Sequence, residues 1–286
     1  MDTSKFKIEP DSKFKIADIE PNDTGKLESK EEAEKLLAKN IERMDELQDI
    51  LYAQDKYALL FIFQAIDTAG KDGAIKHVMA GLNPQSTHVH SFKQPSAEEL
   101  DHDYLWRASK NLPERGQIGI FNRSYYEEVL VVKVHNLVRS QQIPEEFITS
   151  DIWKDRYRQI RDYEKYLYEN GIIVVKFFLH ISKEEQKKRL LARIDDESKN
   201  WKFSSADITE RQYWEDYQQC YQDTIRETSA NYAPWYVIPS NKKWFSRLII
   251  SQAIVATMEK LNLEYPKLSD VQKKNLLECK QKLEQE

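Results

Sequence analysis

Five short runs rich in β-branched and aromatic residues, at 58–63, 87–92, 117–121, 172–179 and 235–238, do most to limit what this chain can fold into. Between and after them the apolar residues recur at helical spacing, in segments 71–80, 98–110, 125–134, 152–169, 183–194 and 208–228. Strands that alternate with helices predict an α/β fold, a five-stranded parallel sheet covered on both faces. Ligands of such sheets bind beyond the carboxyl ends of the strands. The search for chemistry therefore starts at those ends.

Further helical patterns flank this core. One runs from Ser29 to about Gln54, with Ser29 and Glu32 in capping-box spacing, and another covers 243–261. A solvated helix is expected after Pro266. The first 28 residues are polar and carry KFKI twice, at 5–8 and 13–16, which predicts an arm lying on the body. The expected division is thus arm 1–28, main domain 29–265 and helical tail 266–286. Hydrophobic residues at 40% and aromatics at 11% support a true core. No apolar run approaches the roughly 20 residues of a membrane span, and MDTSKFKIEP has no apolar signal-type segment. Cys220 and Cys279, far apart, fit a reduced, cytoplasmic protein. A net charge of −5 argues against general nucleic-acid binding, yet leaves room for a polyanion in one local basic groove.

Three stretches carry candidate chemistry. The first, AIDTAGKDG at 65–73, follows the first strand and opens a helix, the context of a P-loop. The pattern G-x-x-x-x-G-K-[ST] is half kept: Ala65 replaces its first glycine, and Asp72 stands where Ser or Thr would ligate Mg²⁺. Gly70 and Gly73 allow backbone N–H groups to turn inward, and Lys71 adds a point charge at a helix N-terminus. An ordinary turn with an exposed lysine is the competing reading. The second stretch, RGQIGIFNRSYYEEVLVVKVH at 115–135, ends a strand at Asn122, where a Walker B aspartate would hold metal. Arg123 there suits bidentate phosphate binding, and Glu127 could return a carboxylate; alternatively Asn122 is a helix-capping turn residue.

The third stretch spans 182–207. Lys188, Arg189 and Arg193 fall on neighbouring turns, followed by Lys199 and Lys202 in a polar segment. This suits a lid over a phosphate chain, although Glu184–Lys188 and Glu185–Arg189 also read as solvated i,i+4 pairs. Asp103 and Arg107 read as a supporting pair. The six histidines show no zinc-ligand spacing, and no G-x-S-x-G elbow occurs.

Taken together and in order, AIDTAGKDG, ERGQIGIFNRS, SKEEQKKRLLAR with KNWKFS, and APWYVIPSNKKWF resemble the polyphosphate kinase 2 family over roughly residues 30–265. That resemblance implies a three-layer α/β/α P-loop kinase core with a helical lid at about 182–207, assembled as a dimer or tetramer. It implies transfer of the terminal phosphoryl group of inorganic polyphosphate to AMP and ADP, reversibly, with Mg²⁺ or Mn²⁺. By matching motif positions, Asp67, Lys71, Asn122 and Arg123 would be catalytic; Glu127, which departs from the family pattern but lies at the same mouth, would join them, with Asp67 and Glu127 on the metal. Ala69, Gly70, Asp72, Gly73, Lys188, Arg189, Arg193 and Lys202 would bind phosphate. Where many members read F-D-R-S-W-Y-N, this chain reads Phe121-Asn-Arg-Ser-Tyr-Tyr-Glu127, which resembles class III, acting on both mono- and diphosphates. An ATP-dependent nucleoside monophosphate kinase, or a non-catalytic phosphate-binding module, are the alternatives.

Overall fold

The computed structural model describes residues 3–27 and 29–286, without the side chain of Lys202, so the phosphate-binding expectation for Lys202 lies outside the described residues. One sheet organises the chain. Its strands are β1 (Lys7–Ile8), β2 (Ala58–Ala65), β3 (Thr87–Ser91), β4 (Ile118–Asn122), β5 (Ile172–His180) and β6 (Trp235–Pro239), in the order β1-β6-β5-β2-β4-β3. The five expected strands are all present and mutually parallel. The sixth comes from the arm: Lys7 and Ile8 pair antiparallel with Tyr236 and Trp235. Two residues are too few to register as a strand pattern, but the KFKI alternation explains the docking, because Phe6 and Ile8 are buried. The second copy buries Phe14 and then enters a 3₁₀ turn, with Ile16 N–H donating to Gln222 Oε1 at 3.1 Å.

β2 sits between β4 and β5, and all eight of its residues are buried. A strand covered on both faces needs continuous apolar sequence, and ALLFIF provides it; each such side chain contributes about 1.5–3 kcal/mol on burial. Helices Lys30–Gln54, Lys71–Val78 and Lys243–Glu259 pack together, while Ile152–Glu169 packs with Trp214–Thr228 and β5. Three layers result. Ser29 Oγ and Ser182 Oγ each accept from the backbone three residues on, at Glu32 and Glu185.

Three expected helices are interrupted for local reasons. The 98–110 pattern splits into Ala97–Leu100 and Trp106–Ser109, because Asp103 Oδ1 takes the Leu105 N–H at 2.9 Å, competing with the helix. The 125–134 pattern begins as 3₁₀ turns, Tyr125–Val129, and becomes α only at Val131–Val134. The 208–228 pattern divides at a 3₁₀ turn, Arg211–Tyr213. The tail forms the exposed helix Asp270–Leu283. No described helix is long and apolar enough to cross a membrane.

Candidate active site

β2 ends at Ala65 and helix Lys71–Val78 starts after a tight loop. Thr68 (φ 67°) and Gly70 (φ 101°) are left-handed. Glycine is free there, whereas the Thr68 backbone costs about 1–2 kcal/mol. The strain is held from one side: Gln186 Nε2 donates to the Asp67 carbonyl at 3.1 Å, and Arg189 Nη1 to the carbonyls of Thr68 (3.1 Å) and Ala69 (2.8 Å). Thr68 Oγ1 is buried in the loop with no partner among the described residues.

Lys71 Nζ donates to the Ala65 carbonyl at 3.3 Å. Burial, then the nearby Arg123 guanidinium, pulls its pKa below the usual lysine range, while Asp67, Glu127 and Asp72 oppose that. Arg123 follows β4 in a left-handed conformation (φ 63°) and donates its N–H to the Phe63 carbonyl at 3.0 Å. Its guanidinium bridges Asp67 Oδ1 (3.0 Å) and Glu127 Oε2 (3.2 Å), and Glu127 most strongly raises its pKa. The Gln64 amide, turned to satisfy both ends, donates to Glu127 Oε1 at 2.9 Å and accepts from Ser124 Oγ at 3.1 Å.

Asn122 Nδ2 donates to Asp72 Oδ1 at 2.8 Å. The two departures from the P-loop and Walker B patterns thus explain each other. With aspartate in the loop, an aspartate at 122 would face a like charge; an amide makes a hydrogen bond instead.

These groups open onto a cleft of ≈ 710 Å³. Arg193 reaches it from the lid, 3.7 Å from Asp207 Oδ2, and Lys199, paired with Asp196, lines it too. Asp207 is raised above the usual carboxylate pKa, first by burial and then by Asp67. Lys188 is exposed and is not part of the cleft wall, while Arg189 is 8% exposed beneath the loop. Gly73 also lines the cleft, and a Cβ there would lie 3.8 Å from Arg247 Nη2.

Sequence reasoning missed several wall residues. Lys243 and Arg247 enter from the helix after β6, a segment expected as a helix over 243–261 but not as a source of site residues. Their spacing of four, which puts both on one helix face, was the available signal. Crowding is real: burial, then Arg189 and Arg247, lowers the Lys243 pKa. Behind Arg123 lies a buried pair no pattern announced. Glu164 Oε2 takes the Lys176 ammonium at 2.5 Å, and its Oε1 accepts from Tyr125 (2.9 Å) and Tyr126 (2.8 Å). Burial raises the Glu164 pKa and lowers that of Lys176. The pair anchors the Arg123 turn to helix Ile152–Glu169 and β5.

A second cavity, ≈ 560 Å³, is lined by Tyr104, Phe147 and Gln159 together with the buried Arg107, Glu128 and Arg156. Arg156 Nη1 donates to Glu128 Oε2 at 3.1 Å, and Tyr104 OH to Gln159 Oε1 at 3.0 Å. Arg107 sits 5.3 Å from the Phe92 ring, and Phe92 is part of the first cleft's wall. The Asp103–Arg107 pair expected from spacing is not formed; Arg107 bonds the Lys93 carbonyl at 2.9 Å and lies near Glu99 and Glu128.

Among the described residues no group of three or more His, Cys, Asp or Glu side chains converges on a metal site. Mg²⁺ commonly takes one or two carboxylates and completes its shell with water and substrate phosphate. Asp67, 36% exposed with one oxygen on Arg123, fits that habit; Glu127, 15% exposed with both oxygens engaged, fits it less well.

Known proteins resemble this chain along most of its length. The family model described as polyphosphate kinase 2 matches residues 26–266. The chain is 51% identical over 280 residues to an "ADP-polyphosphate phosphotransferase" of Rhodopseudomonas palustris, covering 94% of this chain and 97% of that one. It is 43% identical over 275 residues to an "AMP/ADP-polyphosphate phosphotransferase" of Meiothermus ruber, covering 96% and 99%. The crystal structure of polyphosphate kinase 2 from Arthrobacter aurescens TC1 superposes with a TM-score of 0.84 at 40% identity, covering 93% of both chains. By family match, sequence identity and fold alike, the chain belongs to the polyphosphate kinase 2 family.

Proposed function

We propose that this chain transfers the terminal phosphoryl group of inorganic polyphosphate to AMP and ADP, reversibly and with Mg²⁺, as a class III member of its family. The carrying observation is the P-loop cleft itself, where Lys71, Arg123, Arg193, Lys199, Lys243 and Arg247 gather in a chain whose net charge is −5. A wall of that sign suits a long polyanion better than a single nucleotide. The names of the two relatives point the same way, and their difference makes acceptor range the open variable.

In this reading Lys71 and the N–H groups of Thr68 and Gly70 hold the phosphoryl being moved, and Arg123 neutralises its equatorial oxygens. Phosphoryl transfer needs in-line positioning and charge neutralisation more than covalent help. Glu127 and Gln64 fix the aim of Arg123. Asp67, beside a Thr68 hydroxyl that has no partner among the described residues, would hold the Mg²⁺ ion, which when bound would neutralise charge on the phosphate; Mn²⁺ would substitute. Arg193, Lys199, Lys243 and Arg247 follow the remaining polyphosphate, while Lys188 stays outside. The nucleoside is placed in the second cavity, where Tyr104 offers a ring and Gln159 an amide, next to Phe92 of the donor cleft.

The free thiols Cys220 and Cys279 favour a cytoplasmic setting, and homo-oligomeric assembly follows the family expectation. The test is a panel of AMP, ADP, GMP and GDP with polyphosphate as sole donor. ADP and ATP should form from AMP and ADP. Turnover that needs ATP as donor would instead favour the monophosphate kinase reading.

A further inference from the structure

We infer that Gln186 and Arg189, on the first turns of helix Lys183–Asp195, are positioning residues that aim the phosphate-binding loop instead of contacting the polyanion. The inference rests on the reading that this loop holds the transferred phosphate. Its basis is that three successive loop carbonyls are captured from one side. Gln186 takes that of Asp67, and Arg189 takes those of Thr68 and Ala69. In a trans peptide the N–H points opposite to the C=O. Pinning these carbonyls toward the lid helix therefore turns the N–H groups of Thr68 and Gly70 the other way; the Ala69 N–H is already used by Ile66.

Arg189 has no donor left for a ligand. Its Nε donates to Glu185 Oε1 at 2.8 Å, and its Nη2 to the carbonyls of Ser240 (2.6 Å) and Asn241 (3.1 Å). One guanidinium thus ties the loop, the end of β6 and its own helix together. Only the planar five-donor fork of arginine does this. Gln186, 3% exposed, is held in register by Arg211, which donates to its Oε1 at 2.6 Å. Arg193, one turn further along, behaves differently: it lines the cleft and, among the described residues, its guanidinium pairs with Asp207 at 3.7 Å. Two arginines four apart on one helix therefore divide the work, one holding the loop and one facing the donor.

The test compares Arg189→Ala, Arg189→Lys, Gln186→Leu and Arg193→Ala, measuring kcat, KM for polyphosphate, and the slope of log KM against log salt. A polyphosphate ligand releases counterions, so its loss flattens that slope; loss of a strap does not. Arg189→Ala should lose about 10²–10³ in kcat, as misplaced anion donors do, with an unchanged slope. Added methylguanidinium should restore part of that rate, and Arg189→Lys, despite its charge, should not recover it. Arg193→Ala should flatten the slope and raise KM for polyphosphate. Should Arg189→Ala fail to fold, Gln186→Leu carries the test, with about a tenfold loss of kcat and an unchanged slope. Near-normal kcat in Arg189→Lys, a flattened slope in Arg189→Ala, or unaltered kcat in Gln186→Leu would overturn the inference. If the wild type used only ATP, the donor reading would fail separately, and the kcat comparison would be made with ATP.

Discussion

Restoring the expected Walker B acid should damage this protein. In Asn122→Asp a carboxylate replaces the amide that donates to Asp72 Oδ1 at 2.8 Å. Two unit charges at that separation repel by about 1.5 kcal/mol in a water-like dielectric and about 6 kcal/mol at an effective dielectric of 20. Asp72 is exposed, which favours the lower end, and loss of the hydrogen bond adds about 1 kcal/mol. A destabilisation of about 2–3 kcal/mol at pH 7 follows, together with a slower turnover because the lysine-bearing helix start is displaced. Urea denaturation and initial rates would be measured for wild type, Asn122→Asp, Asp72→Asn and the double variant. The double variant should recover most of the loss, since it swaps donor and acceptor. The penalty in Asn122→Asp should shrink as pH falls through the carboxylate range and one partner protonates. A single variant as stable as wild type, or a double variant no better than the single, would refute the reasoning.

Other outcomes follow from the same geometry. Lys71→Ala should cost on the order of 10²–10³ in turnover, as removal of one charge-stabilising donor does, with the thermal midpoint little changed. Tyr104→Ala should raise KM for AMP and ADP but leave KM for polyphosphate near wild type; the reverse pattern would remove the nucleoside from the second cavity. Glu127→Asn should lose AMP phosphorylation before ADP phosphorylation, and equal losses would deny it a part in acceptor choice. His180 is buried, its Nδ1 lacks a partner among the described residues, and burial depresses its pKa to about 4 from 6.5. The unfolded chain therefore binds a proton first, so stability falls as pH drops from 6.5 toward 4, by on the order of 3 kcal/mol. His180→Leu should show a shallower loss over that interval in urea titrations at successive pH values.

How far the sequence alone reaches depends on whether a feature is local. The five parallel strands could be read because a doubly covered strand such as Ala58–Ala65 must be apolar throughout. The P-loop could be read because a lysine-bearing turn between strand and helix leaves a contiguous trace. What escaped is the set of contacts that unite distant segments. Asn122 and Asp72, fifty residues apart, each looked like a weakened motif position, and only their hydrogen bond shows them to be one substitution made twice. Arg189 and Arg193 are equally cationic in sequence; which one faces the loop depends on how the lid helix is rotated on the body. Lys176 and Glu164 carry charges that, without a partner in view, belong on the surface, yet both are fully buried as a pair. The arm's strand is set by β6 offering an edge, not by any propensity of its own.

The central claim is that the lysine-bearing loop grips the end of an anionic chain and passes on its last unit. Polyphosphate carrying a labelled terminal phosphate, mixed with AMP, Mg²⁺ and the full chain in the absence of ATP, addresses it directly. Label should appear in the β-phosphate of newly formed ADP, and Lys71→Ala should abolish nearly all of it. Label confined to inorganic phosphate, or delivered to ADP equally well by Lys71→Ala, would contradict the account.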